Sequence, residues 1–133
     1  LKASLQQFKN KKKAEAADRI NTNLNTINQN QTSQMQKHLT NMSRILDKLE
    51  TKVDPPVAAI AAARTNIASV SAAVAAQAQK DYTIIVTSEI RIKTDAKKQR
   101  DALHTDLQSV KKMVINAKQS VANAIKERKP GGQ

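Results

Sequence analysis

From Leu1 to Val53 the chain contains neither glycine nor proline, and its apolar residues return at alternating steps of four and three. Leu1, Leu5 and Phe8 open the pattern, Ile20, Leu24 and Ile27 continue it, and Met35, Leu39, Met42, Leu46, Leu49 and Val53 complete it. That spacing puts them on one stripe of an α-helix, whereas a strand would need a period of two. At 1.5 Å per residue such a helix would reach roughly 75 Å, so a rod is expected rather than a ball. The stripe falters between Ile27 and Met35, where the step is eight and Gln31 and Gln34 stand in for apolar residues. A shift of the seam and a slight irregularity near residues 29–34 are predicted there.

Asp54-Pro55-Pro56 then stops the helix, because a residue before proline is pushed out of the helical region while proline suits a first helical turn. Asp54 is the expected cap of the next helix. From Val57 to Gln77 the rhythm resumes at Ile60, Ala63, Ile67, Val70 and Val74, with Arg64 the sole charge between Pro55 and Gln79. A helix so rich in alanine and so poor in charge suits close approach on more than one side, which predicts the central helix of a bundle. A transmembrane span is the competing reading, and we set it aside because Arg64, Asn66, Ser69, Gln77 and Gln79 interrupt the segment and alanine contributes little transfer energy. Residues 81–87, DYTIIVT, are β-branched and lack helical periodicity, so they read as an extended connection. Thr87 or Ser88 can cap a third helix with its stripe at Leu103, Leu107, Val110, Val114, Ala117, Val121 and Ala124. One uninterrupted helix over 55–128 is the alternative.

The expected fold is therefore all-α: an elongated antiparallel three-helix bundle or coiled coil of unequal helices at about 1–53, 55–80 and 88–128. It forms a single domain over 1–129, with a tail at 130–133 where Pro130, Gly131 and Gly132 end regular structure. Unequal helices would leave apolar stripes exposed at their overhanging ends. Leu1, Leu5 and Phe8 at one end and Val121 and Ile125 at the other are accordingly candidates for self-association into a dimer or filament.

Chemistry finds little foothold in this sequence. There is no cysteine, the glycines lie only in the tail, and His38 and His104 fall on different helices, so no catalytic residue, cofactor site or metal site is predicted. Charge is the more informative feature, with 23 Lys+Arg against 11 Asp+Glu giving a formal net charge of +12. Lys9, Lys11, Lys12 and Lys13 form one cluster, and Lys111, Lys112, Lys118, Lys126, Arg128 and Lys129 form another. They constitute a candidate polyanion-binding surface, set against the plainer view that lysines flanking an apolar seam keep a rod soluble. Lysine outnumbers arginine and only Phe8 and Tyr82 are aromatic, which counts against dedicated nucleic-acid recognition. Residues 21–36 carry nine Asn/Gln and no charge, read as a solvated face with a weak seam or a partner surface.

Residues 11–53, KKKAEAADRINTNLNTINQNQTSQMQKHLTNMSRILDKLETKV, and 74–89, VAAQAQKDYTIIVTSE, resemble the uncharacterised, predicted-secreted helical proteins of reduced-genome candidate-phyla bacteria. The resemblance implies an export signal and an extracellular or envelope location, and brings no catalytic residues. The expectation is a non-enzymatic structural or interaction protein whose partner is itself or another protein. The alternative is a basic helical protein that binds nucleic acid or another polyanion through its lysines.

Overall fold

A computed structural model describes residues 5–128, which form three helices and, among the described residues, no strand. Helix α1 is Lys11–Glu50, α2 is Val57–Ala78 and α3 is Ile92–Arg128. Each packs against the other two, up, down and up, so that the bundle is all-α with consecutive helices antiparallel and α3 parallel to α1. The chain does not form one helix over 55–128.

Helix α1 begins ten residues later than the apolar stripe suggests, because Asn10 caps it by accepting from the Lys13 N–H at 3.2 Å. Ahead of that cap the chain hooks back, with Phe8 N donating to Leu5 O and Lys9 N to Glu89 Oε1 at 2.7 Å. Thr51 ends α1 by donating its hydroxyl to Lys48 O at 2.7 Å. Asp54 does not cap α2. It sits at φ 54°, in the left-handed region that Asp tolerates better than most residues, and Pro56 occupies the cap position with no side-chain hydrogen bond.

The central-helix expectation for α2 is corrected by its burial pattern. Only the stripe Ile60, Ala63, Ile67, Val70, Val74 and Gln77 is enclosed, while Ala58, Ala61, Ala62, Ala68, Ala72, Ala75 and Ala76 face outward. All three helices touch one another, so none lies in the middle, and the outer alanines serve helix propensity rather than double-sided packing. With a mean hydropathy of 1.4 over its window, α2 is also long and apolar enough, by length and composition only, to cross a membrane.

Two distinct cores follow from α2 being about half as long as α1. Beside α2, Leu39, Leu46 and Leu49 of α1 meet Ile60, Ala63 and Val74 of α2 and Val110, Ala117 and Val121 of α3. Beyond the end of α2 its place is taken by the non-helical connection 79–91, which is free of turns over 80–86. There Tyr82 and Ile84 point inward and Ile85 outward, the two-residue alternation of a strand. Ile84 packs with Leu5, Ala17, Ile92 and Ala96, and Tyr82 packs with Leu24 and Leu103. The overhang expected at the start of α1 is covered for this reason: an extended residue spans roughly twice the length of a helical one, so a short run suffices to line the first half of α1.

The handover from α2 to the extended run is held by a buried polar joint. Asn28 Nδ2 donates to Gln77 O at 2.9 Å, and Asn28 Oδ1 accepts from Gln77 Nε2 at 2.9 Å. Gln77 Nε2 also donates to the Tyr82 hydroxyl at 2.6 Å, which in turn donates to Asp106 Oδ2 at 2.6 Å, with Lys80 Nζ 3.4 Å from the same oxygen. Gln29 Nε2 caps Ala78 O at 2.7 Å, and Asn25 Oδ1 accepts from Tyr82 N at 2.9 Å. Side chains from the Asn/Gln-rich stretch thus take up α2's terminal carbonyls, which have no partner within the helix. The seam shifts by one residue, from Ile27 to Asn28, as the broken stripe predicts, but without an irregularity: α1 stays helical through residues 29–34. Asn28 and Thr32, both buried, continue the stripe, while Ile27 is left 44 % exposed.

Replacing Asn28 by Ala leaves one N–H of Gln77 Nε2 without its acceptor and takes from Gln77 O one of its donors, Lys80 N remaining, and should cost about 1–3 kcal/mol in urea denaturation. Burial, and then the bond to Asp106, push the Tyr82 phenol up to about 12 from 10.0. The fold therefore favours the neutral phenol: its contribution is complete below pH 10 and is lost as pH rises from 10 towards 12. Stability measured across that window should fall in the wild type, and Tyr82→Phe should remove the part of the fall that this phenol causes.

Candidate interaction surface

The lysines of both clusters that lie among the described residues are on the surface, but the fold does not bring the two groups together. Lys9, Lys11, Lys12 and Lys13 are exposed at the start of α1. Lys111, Lys112, Lys118 and Lys126 are exposed on the second half of α3. Because α3 runs parallel to α1, Lys118 stands level with Asn41 and Met42. That is about 30 helical residues beyond Lys12, or roughly 45 Å along the rod. Arg128 ends α3, and Lys129 lies outside the described residues.

Of the self-association candidates, Leu5 and Val121 are buried, at 6 % and 4 % exposure, and Phe8 is half-buried against the core of Leu5 and Ile84. They are occupied by the fold itself, since the hook at 5–9 and the extended run close one end and α2 covers Val121. Ile125 remains 44 % exposed, and Leu1 lies outside the described residues.

What does remain open is a set of furrows between helices. One of about 500 Å³ lies along the hook, lined by Leu5, Phe8, Lys11, Ala14 and Asp18. A second of about 440 Å³ separates the starts of α1 and α3, with Ala17, Ile20, Ile90 and Ile92 as its floor and Lys13 and Lys93 beside it. A third of about 400 Å³ lies between the far halves of α1 and α3, where Met42, Ile45, Val114, Ile115 and Ile125 meet His38 and Lys118. Periodicity could have located these furrows but ranked the wrong residues: Ile45 and Ile115 fall one step off the stripes, beside Leu46 and Val114, and Ile90 precedes α3 altogether, so all three escape a reading that follows the stripes alone.

Among the described residues no group of three or more His, Cys, Asp or Glu side chains is placed to hold a metal ion. The charged contacts are structural in position. Arg64, the one charge of α2, bridges Asp47 and Glu50 of α1. At the start of α3, Thr87 donates its N–H to Asp95 Oδ2 at 2.8 Å and its hydroxyl to the same oxygen at 2.9 Å, while Ser88 Oγ accepts from Arg91 N. No protein-family model matches the chain, and neither a curated protein nor a solved structure matches it significantly. The surface is read on its geometry.

The backbone hydrogen bond from Thr87, with smaller help from the Thr87 hydroxyl and the charges of Arg91 and Lys98, holds the Asp95 carboxyl below its usual 3.8. A depressed carboxylate stabilises the fold above its unfolded pKa, and that stabilisation is lost as pH falls below about 4. Asp95→Asn should therefore lower the melting temperature at neutral pH and flatten part of its decline under acid, as followed by circular dichroism.

Proposed function

We propose that the chain is a non-enzymatic helical interaction module that offers its furrows to another protein or to a further copy of itself. The observation that carries this is the exposure of large aliphatic side chains, Ile45, Ile90 and Ile115 among them, on a bundle whose core is otherwise closed. Ile45 and Ile115 lie together on the far furrow and Ile90 on the furrow at the starts of α1 and α3, and exposed apolar residues gathered at a furrow are the usual mark of a contact surface. An exported or envelope-associated location belongs to the same proposal and draws on the resemblance alone.

The proposal keeps α2 in the bundle rather than in a membrane. Its Ile60–Val74 stripe is matched by apolar residues of α1 and α3, and Arg64 lies in a two-carboxylate clasp.

Polyanion binding stands as the second reading because Lys11, Lys12 and Lys13 crowd the first turn of α1, where no acid is present and the helix dipole disfavours cations. It draws less support from the separation of the two clusters. Under this reading duplex DNA would bind without sequence preference and lose affinity steeply with salt.

Photo-crosslinking residues placed singly at Ile90, Ile115 and Ala61, in cells that make the protein natively, test the preferred reading. Discrete adducts are expected at one or both isoleucine positions and none at Ala61 on the outer face of α2. Clean isoleucine positions, together with retention on duplex DNA at physiological salt, would replace the interaction module with the polyanion reading.

A further inference from the structure

The furrow between the far halves of α1 and α3 combines an apolar floor with Lys118 in its wall and, outside the lining, exposed basic residues along both helices. Met42 and Ile45 from α1 and Val114, Ile115, Val121 and Ile125 from α3 line it. Ile115 is 63 % exposed and Ile45 43 %, although the third helix of the bundle is already in place on the opposite side. Along α1, Lys37, Arg44 and Lys48 are exposed at helical spacing beside His38, Asn41 and Ile45; along α3, Lys111, Lys118 and Lys126 do the same. The acids of these stretches lie elsewhere. Asp47 and Glu50 are drawn to Arg64 of α2, and Glu127 lines the cleft between α2 and α3.

We infer that this furrow docks an acidic amphipathic helix of another protein, laid between α1 and α3 with its aliphatic stripe on the isoleucines and its carboxylates against the lysines on both edges. The inference rests on the interaction-module reading. Two parallel neighbouring helices leave a groove that fits a third helix at ordinary interhelical distance, and the span from Val114 to Ile125 is about three helical turns. A partner therefore needs apolar residues at i, i+3 or i+4, and i+7, the spacing used in helix-in-groove recognition. A second copy of this chain suits the site poorly, since it brings another +12 and would set lysines against lysines. Nucleic acid has no use for an aliphatic floor that lacks aromatics. A bilayer calls for apolar anchors that stand proud of their lysines, whereas Met42, Val114 and Val121 make a recessed floor.

The probe is a fluorescein-labelled synthetic helix of about 15 residues, or four turns, with leucines at this spacing and glutamates elsewhere. It is titrated with the full chain alongside a scrambled peptide of the same composition, a lysine-for-glutamate version, and vesicles of phosphatidylcholine and phosphatidylglycerol. The patterned acidic peptide should bind at least about tenfold more tightly than either control peptide, and Ile115→Glu or Lys118→Glu should each weaken it by about tenfold, the scale of a central interface contact. Ala61→Glu on α2 should leave binding unchanged, and unaltered thermal melts would show that the variants fold. Equal binding of patterned and scrambled peptides overturns the inference. So does preferential binding to the anionic vesicles that Ile115→Glu abolishes, and so does sedimentation showing that copies pair through Ile115. If the peptide fails while crosslinks form at Ile90, the interaction reading stands without this furrow; if both fail, both fall.

Discussion

A bundle whose second helix is half as long as its first has to solve one problem before any other: where the carbonyls at the end of that short helix find donors, inside a packed interior. Asn28 and Gln29 supply them, donating to Gln77 O and Ala78 O, while the Gln77 side chain links Asn28 to Tyr82, which extends the joint to Asp106 on α3. The joint ties all three helices and the extended run at a single level of the rod. Its effect goes beyond its hydrogen bonds, because Asn28 and Gln77 are buried and either would cost about 1–3 kcal/mol if left unpaired. A sliding of α2 along α1 by one turn, which the repetitive Ile/Ala/Val stripe would otherwise permit, breaks the bonds of Asn28 and Gln29 to the end of α2. The polar residues therefore fix a register that the apolar ones leave open.

Much of this arrangement is legible in the residues. The periods of α1, α2 and α3, the stop at Asp54-Pro55-Pro56 and the extended character of residues 81–87 all follow from local rules, since period and backbone preference act over a few residues. The joint is not legible in the same way. Asn28 and Gln77 are separated by 49 positions, and an amide in a helix looks solvated until its partner is known. The break in the stripe after Ile27 was the available signal: a missing apolar residue can mean an irregular helix or a buried polar one, and here it means the latter. The helix start at Lys11 and the burial of Leu5 also escaped, because an apolar periodicity that runs past a helix end says nothing about whether the chain folds back over it.

The surface divides along the same lines. The α2 side carries Arg64 clasped by Asp47 and Glu50, whereas the far halves of α1 and α3 present isoleucines between lysines. Alanine makes the first face smooth without making it sticky, as it exposes little apolar area per residue. The two faces of one small bundle thus differ in how readily they hold another molecule, although their helices are built from similar apolar stripes.

The extended run between α2 and α3 also sets how this chain can change length over time. In α1 or α3 a lost residue rotates everything beyond it by 100° and shortens the helix by 1.5 Å. In residues 81–87 a single lost residue turns Tyr82 or Ile84 outward, moves Ile85 in, and withdraws about 3.3 Å of reach. Loss or gain of two residues preserves the alternation and displaces α3 along α1 by a little more than one helical turn, which brings a new set of α3 side chains opposite the old partners. The segment behaves as a ruler graduated in pairs: related chains would be expected to keep its length or to change it by an even number, with α3 re-registered when they do.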